Sequence, residues 1–151
     1  VREVKPWGEY FLGLAHKATE RSKDPNTNVG AVIVDEDHNV VSTGYNGFPR
    51  GVKETPGRWE RPLKYEYVVH AEENAIGCAA RTGRATDGCK MYVTHFPCKD
   101  CAKMIITAGI KHLIVDGRGK TAMNDEEQQK FTRGLLSEAG VEVFILNGPS
   151  V

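Results

Sequence analysis

"CKMYVTHFPCKDCAKMIITAGIKHLIVDG", residues 89–117, sets the architecture of this chain. Its first part, "CKMYVTHF", is rich in apolar and β-forming residues and reads as a strand; "CAKMIITAG" reads as a helix closed by Gly109, and "KHLIVDG" as a second strand. A strand that returns to its sheet through a crossover helix runs parallel to the one before it. Downstream the alternation repeats: Asp125 to Ala139 carries apolar Phe131, Leu135 and Leu136, Gly140 takes the C′ position, and "VEVFIL" follows as a strand. Upstream, "AEENAIGCAAR" (Ala71 to Arg81) is built from strong helix formers, with Ile76, Ala79 and Ala80 toward one side and Gly83 as a stop.

Nearer the amino terminus the period changes. "VGAVIV" (Val29 to Val34) and "VVSTGY" (Val40 to Tyr45), joined by the polar "DEDHN", read as two antiparallel strands. Before them, Tyr10, Phe11, Leu14, Ala15 and Ala18 recur at helical spacing until "DPNTN" ends the helix with turn chemistry. The stretch from Asn46 to Tyr67, rich in Gly, Pro and Arg, is too long for a simple connector and reads as functional or partner-contacting. Together these elements predict an α/β fold, a three-layer α/β/α arrangement around a mixed five-stranded sheet.

Composition bounds the function. The 151 residues, 40% of them apolar, suit a single domain over residues 1–151, and no apolar run is long enough to span a bilayer. "VREVKPWGEYF" lacks the features of an export signal, so a cytoplasmic, reducing location is expected and structural disulfides are not. Twenty basic residues balance twenty acidic ones, which argues against a nucleic-acid-binding surface but leaves room for a small anionic ligand.

The chemistry gathers at two helix starts. "VVHAEENAI" places His70 and Glu72 at the start of one predicted helix, and "PCKDC" places Cys98 and Cys101 at the start of another. An imidazole and two thiolates supply three of the four positions of a zinc tetrahedron, leaving the last to water as catalytic zinc sites do. Helix amino termini favour thiolate over thiol. A carboxylate such as Glu72, next to a water whose pKa zinc brings to about 7, can take its proton and return it to a leaving group. The pattern H-x-E with a later P-C-x-x-C belongs to zinc deaminases of nucleobases. By itself the Cys-x-x-Cys also suits a redox pair or a structural zinc, for which Cys78, Cys89, His95 and His112 are donors by residue type, although Cys78 and Cys89 read as small packing residues.

"WGEYF", "RSKDPNTNVGAVIV", "GYNGFPRG", "HAEENAI", "MYVTHFPCKDCAKMIITAGIK" and "AGVEV" occur in that order, and with them nearly the whole chain resembles the deoxycytidylate (dCMP) deaminases of the cytidine deaminase superfamily. The resemblance implies a cytidine-deaminase-like fold, Zn2+ held by His70, Cys98 and Cys101, and hydrolysis of dCMP to dUMP and ammonia with Glu72 as the proton carrier, supplying thymidylate synthesis. It further implies that Asn46 holds the sugar 3′-hydroxyl, that Val29 and His70 sandwich the pyrimidine, and that the Ala71 backbone reads its carbonyl. The alternative role for Asn46, weighted below the sugar contact, is a turn former after a strand, and Val29 is equally a core residue. For the 5′-phosphate, the neighbourhood of these motifs offers Arg21, Ser22, Lys23, Asn26, Arg118 and Lys120, and Asn28 is a further substrate-binding candidate. Relatives gate the site with an aromatic or arginine side chain where this chain has "GRGK" with no aromatic residue. By the same likeness the protein is a homohexamer activated by dCTP and inhibited by dTTP, with Asn46, Gly47 and Arg50 near the effector.

Overall fold

The computed structural model describes residues 1–119 and 126–148. Helix α1 (Trp7–Thr19) leads into β1 (Gly30–Val34) and β2 (Val40–Tyr45); after a long segment containing a 3-10 turn (Pro56–Trp59) and the short α2 (Lys64–Tyr67) come α3 (Ala71–Arg81), β3 (Lys90–Val93), α4 (Lys99–Thr107), β4 (His112–Asp116), α5 (Glu126–Glu138) and β5 (Glu142–Leu146). The five strands form one sheet in the order β2-β1-β3-β4-β5. β1 is antiparallel to both neighbours, whereas β3, β4 and β5 are parallel, as their crossover helices require. The mixed sheet read from the sequence is therefore present, with β1 lying between the two strands that α3 connects.

Alternation along the strands sorts the core into two layers. Val32, Val34, Tyr92 and Ile114 face α1, where Phe11, Leu12 and Ala15 cover them. Ala31, Ile33, Met91, Val93, Leu113 and Val115 face the other way, onto Ala71, Ala75 and Ala79 of α3, Ala102 and Ile105 of α4, and Leu136 of α5. Alanine at every fourth position lets α3 approach closely: a Cβ on Gly44 of β2 would lie 2.3 Å from the Ala71 carbonyl oxygen. That close seat fixes how α3 sits on the sheet, and so where its first residues point.

Two details differ from the sequence reading. The buried stripe of α3 is Ala71, Glu72, Ala75 and Ala79, and Ala80 faces solvent, because a helical face repeats at i and i+4. In α5 the buried residues are Thr132 and Leu136, again four apart, while Phe131 on the adjacent flank is 58% exposed.

The long segment after β2 is held by its own chemistry. Gly47 and Val69 exchange backbone hydrogen bonds of 3.1 and 2.8 Å. Phe48 stacks on Trp59 at 4.5 Å and on Tyr67 at 5.3 Å, and the Arg58 guanidinium lies over the Tyr67 ring. Lys64 and Tyr65 of α2 share a cavity wall with His70 and Ala71 at the start of α3 and with Cys98 at the start of α4. No helix among the described residues is long and apolar enough to cross a membrane.

Candidate active site

His70 is the N-cap of α3 and Cys98 the N-cap of α4, each in extended backbone conformation just before its helix. The two helices pack on the same face of the sheet, so their amino termini converge. Nδ1 of His70 lies 3.5 Å from Cys98 Sγ and 3.3 Å from Cys101 Sγ, and all three donor atoms fall within 4.8 Å of one another. Cys98 Sγ also accepts a hydrogen bond from the Cys101 backbone N–H at 3.4 Å, the capping interaction that turns the sulfur toward the cluster.

Charge inside the cluster is already sorted. The hydrogen bond from Cys101, opposed by burial and aided by His70, brings Cys98 down to about 4, a thiolate at neutral pH. Hydrogen bonding to that sulfur lifts His70 to about 9 against the effect of burial. Cys101 is raised by its hydrogen bond to Cys98 and by burial. At the second position of α3, the Glu72 side chain is only 4% exposed; burial raises its carboxyl, while its own backbone N–H, His70 and the Cys101 thiol pull the other way. A carboxyl raised by burial and opposed by neighbouring donors is suited to taking up and returning a proton.

Two sulfurs and an imidazole nitrogen, one sulfur already ionised, are a donor set that fits zinc with a coordination position to spare. Among the described residues no other group of three or more His, Cys, Asp or Glu side chains is placed to hold a metal. Cys78, Cys89 and His112 lie outside the cluster, and none of the four cysteines is in a disulfide.

The cluster opens into a cavity of about 230 Å³ whose wall includes Val29, Asn46, His70, Ala71, Glu72 and Cys98. Beneath it lies a buried polar frame. Lys64 Nζ donates to Asp24 Oδ1 and Oδ2 at 3.0 and 2.9 Å and to Asn26 Oδ1 at 3.1 Å. Asn46 Nδ2 donates to Thr27 O at 2.8 Å and Asp24 Oδ2 at 3.3 Å, and its Oδ1 accepts from the Val29 N–H at 2.8 Å. With both amide ends engaged, Asn46 has a set orientation and keeps one lone pair of Oδ1 for a ligand.

The phosphate candidates from the sequence, and the substrate candidate Asn28, are placed differently. Lys23 pairs with Glu54 at 3.0 Å, Asn28 donates to the Asp24 carbonyl at 3.0 Å, and Asn26 is taken up by Lys64. Arg118 forks onto Asp116, and Ser22 Oγ donates to the Asn46 carbonyl at 2.8 Å. None of these, nor Arg21, lines the cavity. Lys120 falls outside the described residues. Of the effector candidates, Asn46 lines this cavity, Gly47 is buried in its bridge with Val69, and Arg50 lines a separate hollow with Tyr45, Asn74 and Cys78. Arg61, Lys64, Tyr65, His95 and Phe96 also line the site and were not assigned to the substrate from the sequence. The Gly, Pro and Arg content of residues 46–67 marks the region of the first three, but not their individual roles.

Such a centre on an α/β/α frame defines the zinc-dependent hydrolytic deaminases that act on nucleobases. The cytidine and deoxycytidylate deaminase zinc-binding region matches residues 5–116, and the chain belongs to that family. It is 42% identical to human deoxycytidylate deaminase over 141 residues, covering 89% of this chain and 76% of the human protein. ComE operon protein 2 of Bacillus subtilis (strain 168) is 36% identical, with 91% of this chain and 69% of that protein covered. The crystal structure of dCMP deaminase from the cyanophage S-TIM5 in complex with dCMP and dUMP superposes with a TM-score of 0.76 at 29% identity, covering 95% of this chain and 100% of that one.

Proposed function

We propose that the protein is a zinc-dependent dCMP deaminase that hydrolyses dCMP to dUMP and ammonia, through one catalytic domain formed by residues 1–151. The observation that carries this reading is the meeting of His70 Nδ1 with the Cys98 and Cys101 sulfurs beside buried Glu72, at a cavity of about 230 Å³. The human relative's identity, and the dCMP and dUMP bound to the cyanophage enzyme, support the choice of substrate.

His70, Cys98 and Cys101 hold the metal. When bound, zinc supplies the Lewis acidity that makes a water nucleophilic near neutral pH. Glu72 moves the protons: it takes one as water adds to C4 of the pyrimidine and passes it to N3, then takes the second from the new C4 hydroxyl and delivers it to the departing amine as the C4 carbonyl forms. Val29 and His70 flank the ring and the Ala71 backbone reads its carbonyl. The free lone pair of Asn46 Oδ1 accepts from the sugar 3′-hydroxyl. A cytoplasmic location, a hexameric assembly, activation by dCTP and inhibition by dTTP, with Asn46, Gly47 and Arg50 near the effector, belong to the same reading by likeness to the family.

The test is ammonia release and dUMP formation by zinc-loaded protein offered dCMP, deoxycytidine, dCTP and a tRNA adenosine substrate, with dCTP and dTTP then added as effectors. Turnover of dCMP above the others is expected. Inert dCMP beside good turnover of another substrate would reject the assignment.

A further inference from the structure

His95 lines the cavity three residues before Cys98, and its ring is held by a chain of hydrogen bonds that starts in the sheet. The buried Gly30 N–H donates to Thr94 Oγ1 at 3.1 Å, and Thr94 Oγ1 stands 2.7 Å from His95 Nδ1. Thr94 is wholly buried. Its hydroxyl has one hydrogen, and among the described residues His95 Nδ1 is the acceptor available to it. Were Nδ1 protonated instead, the Thr94 hydrogen would be buried without a partner, at a cost of about 1–3 kcal/mol. Thr94 therefore donates to Nδ1, and the proton of the neutral ring sits on Nε2. Burial, with His16 nearby, also holds His95 below the ordinary histidine value despite the opposing charge of Asp116.

The cavity's other strong donors are mostly spent. Lys64 is used by Asp24 and Asn26, and His70 Nδ1 by the sulfurs. His95 and Arg61 line the same cavity, and neither His95 Nε2 nor the Arg61 guanidinium has a hydrogen-bond partner among the described residues.

We infer that His95, fixed by Thr94 as an Nε2–H donor, acts with Arg61 to bind the 5′-phosphate of the substrate and so selects the nucleotide over the nucleoside. This rests on the dCMP reading above and replaces the surface cations expected from the sequence. Thr94 is a positioning residue, and His95 and Arg61 are the contacts. An imidazole donor and a guanidinium on one cavity wall offer the hydrogen bonds, the guanidinium's charge-assisted, that a phosphate monoester requires.

The experiment compares kcat/KM for dCMP with kcat/KM for deoxycytidine in wild type, His95→Leu, His95→Gln and Arg61→Gln, alongside calorimetric binding of dUMP and deoxyuridine. Glutamine can place an amide N–H near the lost Nε2–H. The nucleotide-over-nucleoside ratio should fall about ten- to a hundredfold in His95→Leu and Arg61→Gln, as expected for the loss of a hydrogen bond to a charged group, and recover in part in His95→Gln. A residue serving only the fold would lower both substrates together, and an unchanged ratio in His95→Leu and Arg61→Gln beside a dCMP-active wild type overturns this inference alone. A wild type that does not turn over dCMP overturns the reading beneath it. Nitrogen-15 NMR of the wild type gives a test that needs no turnover: His95 should show the Nε2–H tautomer, Thr94→Val should mix the tautomers, and Nδ1 protonation in the wild type would refute the arrangement.

Discussion

His70 Nδ1 stands 3.3 Å from Cys101 Sγ, across the gap between the amino termini of α3 and α4 and 31 residues away in the chain. Two helices seated on one face of a sheet create this distance, so the cluster depends on the fold and a bound metal in turn ties the helices together.

Removing a sulfur should cost metal and stability at once. Cys101→Ser is expected to take zinc content from about one per chain to near zero and to lower the melting temperature, since metal binding is coupled to folding. Elemental analysis and thermal melts of the same samples decide it; full zinc occupancy in the variant would remove Cys101 from the ligand set.

Glu72→Gln keeps the volume of a side chain that is 4% exposed but cannot carry the proton. Turnover should fall by roughly 10²–10⁴-fold while zinc content and melting temperature stay close to those of the wild type. Near-normal kcat would show that another group moves the proton.

Lys64 and Asp24 are a buried ion pair at 2.9 Å. Lys64→Met leaves the Asp24 carboxylate buried without its cation and should destabilise by about 3–5 kcal/mol in denaturant unfolding. Adding Asp24→Asn to Lys64→Met should restore a large part of that loss. A Lys64→Met protein as stable as the wild type would show that Asp24 had reached water.

Metal uptake should weaken as pH falls. Without metal, His70 titrates at about 9 and Cys101 is raised by its hydrogen bond to Cys98 and by burial, so at neutral pH zinc displaces a proton from each. Calorimetry in buffers of different ionisation enthalpy should record that release; a pH-independent affinity across neutrality would contradict it.

Acid stability has a second source in Asp116. Burial alone would raise this carboxyl, but hydrogen bonds from the Arg118 side chain and backbone, and from His16, hold it well below the usual carboxylate range. A depressed carboxyl contributes stability that is complete above its unfolded value of about 3.9 and disappears as pH drops toward the folded one. Asp116→Asn should therefore unfold less steeply with acid over that window. An identical acid profile would assign the wild-type slope to other groups.

The sequence carried the strand and helix alternation from Val29 onward, because side-chain period and glycine stops are local properties: Gly109 and Gly140 follow α4 and α5 with φ of 77° and 78°. It also carried His70, Glu72, Cys98 and Cys101 as candidates, since the spacing of each pair lies within one helix start. Contacts between distant segments were not written in any local pattern. No local pattern marks Lys64 until its partner Asp24, forty positions earlier, is brought to it at the cavity. His95 likewise reads as a spare metal donor until Thr94 and Gly30 determine which of its nitrogens holds the proton. Local periodicity thus set the elements and the residue types of the centre, while tertiary packing alone decided which polar side chains are satisfied and which are left for a ligand, because burial and pairing belong to residues that meet only when the sheet is complete.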